Sequence, residues 1–223
     1  MSKKIFVVLV LQAVLLCHSA QAQTDIAELN RQSLIAVRTS NLPTLRKLID
    51  QGASINTRNR FGDSLLMTAI KSGSDDTVDY LLSRQPDVNL ANVSRVTPLM
   101  AAAYSGNAAL AQRLLERQAD PLATDQLRKT AMVYAAGAGH SKVVELLLAN
   151  GVAVDARYAN SLTALMWAAG SGHADTVRLL LASGADRKLT DNRGKSALQM
   201  ALDGGHQEVG ALLEQPTMAE AAH

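Results

Sequence analysis

Apolar and polar positions along this chain recur with a period of 33 residues. The stretch from Ser161 to Asp186 shows one unit. It holds a polar Thr163, a small-residue run from Ala164 to Gly170, a turn through Gly172 and His173, and an apolar run ending in Leu179-Leu180-Leu181 before Gly184. Steps of 33 carry Thr163 back to Thr130, Thr97 and Ser64 and forward to Ser196. The same steps carry Gly172 to Gly73, Gly106, Gly139 and Gly205, and Ala168 to Ala36, Ala69, Ala102, Ala135 and Ala201. Leu180 falls on Leu48, Leu81, Leu114, Leu147 and Leu213. A fixed period of this length means small supersecondary units that bury a common core by stacking on their neighbours.

Each unit reads as two helices. Ser64, Thr97, Thr130 and Thr163 each precede a short first helix and can bond the free N–H groups of its first turn. Pro98 stands at a first helical position, where its missing N–H costs nothing. Ala69, Ala102-Ala103, Ala135-Ala136 and Ala168-Ala169 allow close approach, near the short end of the roughly 8–10 Å range of helix spacings. Second helices carry the larger apolar load at i, i+3, i+4: Val78, Leu81, Leu82; Ala111, Leu114, Leu115; Val144, Leu147, Leu148; and Val177, Leu180, Leu181.

The units run over about 24–57, 58–90, 91–123, 124–156, 157–189 and 190–215, a repeat domain of 23–215. The first is a worn N-terminal cap: Leu45, Leu48 and Ile49 are sound, but Arg31 and Gln32 stand where a helix start is expected. In the last, Gly210 replaces Val177 and Glu214 replaces Leu181, giving the less apolar outer surface of a C-terminal cap. Pro216 ends the array, and 216–223 is expected to be a frayed tail.

Val96-Thr97-Pro98-Leu99-Met100-Ala101-Ala102-Ala103, Gly172-His173 and Leu180-Leu181-Ala182-Ser183-Gly184-Ala185-Asp186 resemble the ankyrin repeat, a 33-residue unit with a T-P-L-H-x-A signature. The resemblance covers about 24–215 and implies an all-α solenoid of about six helix-turn-helix repeats, with β-hairpin fingers projecting from the junctions. It also implies protein binding through finger tips and the concave face of the first helices. The histidine of TPLH is Met67, Met100, Val133, Met166 and Gln199 here, which puts its loop-tying hydrogen bonds in question. The finger-turn glycine, kept at Gly62 and Gly194, is Arg95, Arg128 and Ser161 between them, so the middle fingers are expected to turn differently. The glycine closing the second helix becomes Gln85, beside Pro86, and Gln118; the 83–90 and 116–123 junctions are expected to be irregular.

Residues 1–22 read as a cleavable signal peptide: Lys3 and Lys4, an apolar run from Ile5 to Leu16, and Ala20-Gln21-Ala22 before a cut at Gln23. The run is too short to span a bilayer, which takes about 20 helical residues. An uncleaved anchor is the alternative. Leu16 before Cys17 argues against lipoprotein processing, and Cys17 leaves with the leader. The expectation is an exported, bacterial-style periplasmic protein rather than a secreted one, monomeric, with no stable membrane insertion after cleavage. The resemblance extends to periplasmic bacterial ankyrin proteins linked to oxidative-stress defence.

The formal charge of +2 comes from the leader: removing Lys3 and Lys4 leaves 20 basic against 20 acidic residues. Nucleic acid is therefore not expected as a partner. His140, His173 and His206 repeat with the period, so they stand about 8–10 Å apart and cannot share a zinc ion with bonds of about 2.0–2.1 Å. Asp87, Asp120 and Asp186 recur likewise and read as loop caps. No catalytic set stands outside the repeat positions, so neither enzyme activity nor a cofactor or metal is expected.

The finger windows hold Arg58, Arg60, Arg95, Arg128, Lys129, Arg157, Lys188, Arg193 and Lys195 against Asp63, Asp125, Asp155 and Asp191. The compensating acids, Asp75, Asp76, Asp79, Glu116, Glu145 and Asp175, belong to second helices. Basic fingers over an acidic back point to a protein partner with an acidic patch; solvated loops with chance charge are the plain alternative. One stripe of the first helices, Thr68, Ala101, Tyr134, Trp167 and Met200, borders the groove in ankyrin arrays, and its aromatics are either anchors or covers for the seam between helices. With Arg60, Phe61, Tyr104, Leu127, Tyr158 and Leu162 added, the contact area centres on the fourth and fifth repeats. The reading is a non-enzymatic exported scaffold in envelope or stress physiology. The alternative is a module for an acidic small ligand or envelope polymer, floored by Arg95, Arg128 and Lys129.

Overall fold

The computed structural model describes residues 25–215, so the leader 1–22 and the tail 216–223 lie outside it. Twelve α-helices form six pairs among the described residues. They fall into two compact units divided after Asp87. The first contains α1 (residues 25–38), α2 (Leu42–Asp50), α3 (Leu65–Ser72) and α4 (Asp75–Ser83). The second contains α5 (Pro98–Tyr104), α6 (Ala108–Leu115), α7 (Ala131–Gly137), α8 (Ser141–Ala149), α9 (Ala164–Gly170), α10 (Ala174–Ala182), α11 (Ala197–Asp203) and α12 (Gln207–Glu214). No described helix is long and apolar enough to cross a membrane.

In the second unit the first helices α5, α7, α9 and α11 pack in series, and so do the second helices α6, α8, α10 and α12. Small residues make this possible: Ala102, Ala103, Ala135, Ala136, Ala168 and Ala169 have no exposed surface. Leu114, Leu147 and Leu180 fill the space between the two rows, also without exposure. Burial of leucine at a fixed register, about 1.5–3 kcal/mol each, is what the period records.

Three of the four expected hydroxyl caps form, and Ser196 of the last repeat caps as well. Ser64, Thr97, Thr163 and Ser196 accept the N–H of Met67, Met100, Met166 and Gln199 at 3.1, 3.3, 3.3 and 3.3 Å. Thr130 is the exception: it occupies the cap of α7 but its hydroxyl makes no cap bond. That hydroxyl is buried near the Tyr158 hydroxyl instead, and neither is in hydrogen-bonding geometry. At Met100, one of the positions where the family's histidine is missing, the sulfur accepts the Thr97 N–H at 3.5 Å. The substitution therefore keeps one cap contact.

Two expectations about missing glycines fail. Arg95 and Arg128 adopt φ of 62° and 59°, the left-handed region also used by Gly62 and Gly194. Their fingers close with the same pair of backbone bonds: Arg95 N–H to the Asn92 carbonyl and Asn92 N–H to the Val96 carbonyl, then Arg128 to Asp125 and Asp125 to Lys129. The reason is the residue that opens each turn. Asn59, Asn92, Asp125 and Asp191 accept, on one side-chain oxygen, the N–H groups two and four residues ahead, all within 2.8–3.0 Å. These side-chain bonds compensate the left-handed residue. Tyr158 occupies the equivalent place in the remaining finger and cannot do this. There the turn tightens to a 3-10 segment, Ala159–Ser161, with Asn160 and Ser161 both left-handed.

The fingers are consequently turns, not strands. The expected β-hairpins reduce to isolated bridges, Arg58 to Ser64 and Thr190 to Ser196, among the described residues.

At the helix junctions Gln118 takes φ of 64° and keeps the paired bonds that Gly151 and Gly184 make, Gln118 to Leu115 and Ala119 to Leu114. The 116–123 junction is therefore regular. At 83–90 Gln85 is left-handed too, with φ of 53°, but Pro86 lacks the N–H for the second bond. Among the described helix junctions only this one loses a contact.

Side chains tie successive repeats. Asn56 and Asn89 accept the N–H of Asp87 and Asp120 at 2.9 and 2.8 Å, and Asp155 accepts that of Asp186 at 3.0 Å. Leu122 occupies the same register and is 62% exposed, so this rung is missing there. Asp120 and Asp186 cap their own loops through Leu122 and Lys188. The histidines stand at the starts of α8, α10 and α12. Their Nε2 atoms lie 3.0, 3.0 and 3.2 Å from the carbonyls of Tyr104, Gly137 and Gly170. A carbonyl only accepts, so each ring donates from Nε2 and joins one repeat to the one before.

Candidate functional site

In the second unit, α5, α7 and α9 present one residue each beside the fingers. The Tyr104 ring meets Tyr134 edge-on, with centroids 6.0 Å apart and planes at 85°. The Lys129 ammonium, from the finger before α7, lies 5.8 Å from the Tyr134 ring centroid and 5.0 Å from that of Trp167. This is cation–π range, within about 6 Å of a ring centroid. Tyr104 is 67% exposed, and Tyr134, Lys129 and Trp167 are half-buried. Four of the expected site residues thus form one aromatic and cationic patch.

Asp125 orients it. The Tyr134 hydroxyl donates to Asp125 Oδ2 at 2.6 Å, while the other carboxylate oxygen holds the finger turn. Burial, then this bond and the carboxylate charge, push the Tyr134 phenol up to about 12. Composition alone casts Asp125 as a countercharge. Its deeper role is signalled by register, because Asn59, Asn92, Asp125, Tyr158 and Asp191 are successive 33-residue steps.

Around this patch, Leu127 is 67% exposed, and Arg95 and Arg128 are exposed with no ion pair among the described residues. The two exposed tips are held in register: Gln126 donates from its backbone N–H to the Ser94 carbonyl and from Nε2 to the Val93 carbonyl. The exposed acids Glu116, Glu145 and Asp175 belong to the second-helix side of each pair, although Glu116 caps α6 rather than lying within it.

Other expected members are engaged elsewhere. Arg193 pairs with Asp191 at 2.9 Å, and Lys195 with Asp203 at 2.5 Å. Burial would raise Asp191, but the Lys195 and Arg193 N–H groups and the Arg193 side chain outweigh it and hold the carboxyl below its usual range. Tyr158 turns inward; its hydroxyl is buried, and burial pushes its pKa up against a small opposing pull from Thr130. These three residues are not brought to the patch. The Trp167 Nε1 is buried without a partner among the described residues, so this aromatic both covers the helix seam and borders the open patch.

Arg60 and Phe61 belong to the first unit. Phe61 is 54% exposed, with the Arg60 guanidinium 4.7 Å from its ring centroid. They line a cleft of about 500 Å³ together with Leu34, Ile35 and Arg38 of α1.

No group of three or more candidate metal ligands occurs among the described residues. What the two surfaces offer a partner is stacking, apolar contact and charge. Comparison with known families finds three matches to the family described as "Ankyrin repeats (3 copies)", over residues 33–125, 99–191 and 132–220. No individual curated protein matches the chain significantly.

Proposed function

The chain belongs to the ankyrin-repeat family, and from that premise we propose that it is a non-enzymatic scaffold holding a protein partner on its second unit. Family members are generally protein-interaction scaffolds. The observation that carries the reading is Lys129 lying between the rings of Tyr134 and Trp167, with Tyr104 exposed beside them. Aromatic anchors next to fixed cations suit a partner that brings apolar side chains and carboxylates. Arg95 and Arg128 supply the rim charge that steers encounter. The leader-like residues 1–22 support export to the periplasm, with Gln23 as the first mature residue.

The test is capture from envelope extract, identification of the captured protein, and titration of the two purified components. Trp167→Ala should weaken binding by about 2 kcal/mol as an anchor, and Arg128→Glu should slow association and reduce its salt dependence. Unchanged affinity in both variants, with helical content intact by circular dichroism, rejects the reading. Mass spectrometry of the exported protein checks the cut before Gln23.

A further inference from the structure

The first unit carries a cleft of which the sequence pattern marks Arg60 and Phe61. Arg31, Leu34, Ile35 and Arg38 follow one another at i, i+3, i+4 and i+7, so they share one face of α1. That face lines the cleft together with the first finger and Thr68 of α3. Ile35 stands one repeat before Thr68 and so begins the same groove row, and it is 40% exposed. Phe61 across from it is 54% exposed. The floor is apolar and open.

The cleft's charge is one-sided. Its lining includes Arg31, Arg38, Arg58 and Arg60 and no carboxylate. Arg31 is spent on Glu28 through bonds of 2.8 and 2.6 Å, which hold that carboxyl down at about 2. Arg58 donates to the Gly62 carbonyl at 2.9 Å. Arg38 and Arg60 are exposed and have no anionic partner among the described residues. Beside them, the Asn59 amide nitrogen has no partner among the described residues, since the turn uses only its oxygen. Thr68 donates its hydroxyl proton to the Ser64 carbonyl and keeps its lone pairs.

We infer that this cleft is a second binding site, for an extended acidic peptide segment. An apolar side chain rests on Leu34, Ile35 and Phe61, and a neighbouring carboxylate lies between Arg38 and Arg60. The Asn59 amide can donate to a peptide carbonyl and the Thr68 oxygen can accept a peptide N–H. A fatty-acyl chain would leave both unused, which favours a peptide over a lipid. The cleft's volume lies within the roughly 300–1,000 Å³ of ordinary ligand pockets, enough for a few residues rather than a domain. Every residue lining the site belongs to the first unit, so the proposal does not depend on the second-unit patch.

The probe is a fluorescein-labelled octapeptide of alternating glutamate and leucine, titrated by anisotropy against the whole chain. Arg38→Glu and Arg60→Glu change exposed groups, so the fold is expected to survive. Each should raise Kd about tenfold or more, since like charges then face each other. Phe61→Ala should weaken binding, the glutamine–leucine peptide should bind about tenfold more weakly, and added salt should reduce affinity. Arg128→Glu should leave peptide binding unchanged, which separates this site from the second-unit patch. The inference is overturned if the acidic peptide fails to bind, if both peptides bind alike, or if Arg60→Glu has no effect. It is also overturned if phosphatidylglycerol vesicles bind through Arg38 and Arg60 while the peptide does not.

Discussion

The His173 ring lies so close over Gly139 that a Cβ at that glycine would sit 2.6 Å from Nδ1. Its Nε2 simultaneously bonds the Gly137 carbonyl at 3.0 Å. Gly139 is also left-handed, with φ of 77°. The glycine and the histidine of adjacent repeats are thus one fitted contact, recurring at Gly106 with His140 and at Gly172 with His206.

Gly139→Ala should therefore destabilise by more than the about 1–2 kcal/mol of a left-handed alanine. His173→Ala alone should cost about 1 kcal/mol for the lost hydrogen bond. The double variant should cost less than the sum, because removing the ring removes the collision. Urea melts of the four proteins measure this coupling, and strict additivity would contradict the contact.

Gln118 holds a conformation that glycine adopts freely, and its side chain makes no hydrogen bond among the described residues. Gln118→Gly should stabilise by about 0.5–1 kcal/mol, the strain relieved less the added entropy of the unfolded chain. Gln118→Ala should bring no such gain. Urea midpoints distinguish the two.

The caps offer an internal control. Thr163→Ala should cost about 1 kcal/mol, whereas Thr130→Ala should be nearly silent because its hydroxyl caps nothing. Leu147→Ala, at a position with no exposed surface, should cost about 2–5 kcal/mol. Equal effects of the two threonine changes would mean that Thr130 caps α7 in solution.

Tyr134 gives a spectroscopic handle at high pH. Folding favours its neutral phenol, so that contribution to stability is complete below the free tyrosine value of about 10 and is lost as pH rises through about 12. Asp125→Asn should lower this titration while leaving the turn intact, since Asn59 and Asn92 serve the same role in other fingers. Absorbance at 295 nm (the phenolate band) follows it directly, and an unmoved titration would argue against the Tyr134–Asp125 bond.

The helix pairs, the alanine and leucine core, most of the caps and the place of the histidines could all be read from the residues. Each is a burial or backbone requirement that every repeat imposes again, so the period displays it. The candidate site was legible only in part. Tyr134 and Trp167 stand out by their register, but nothing local shows that Lys129 reaches both rings. Nor does it show that Arg193 and Lys195 spend their charge on Asp191 and Asp203.

By itself, then, the sequence determined the period of 33, the order of short and apolar helices, and which faces must be buried. Hydrophobic burial acts position by position and leaves its mark along the chain. The tertiary structure alone decided that Arg95, Arg128 and Gln118 accept the left-handed region rather than reshape their turns. It also decided which cations stay unpaired and that α1 and the first finger line one cleft. Those outcomes depend on neighbouring bonds that outweigh about 1–2 kcal/mol of local strain, and on distances between elements that only packing sets.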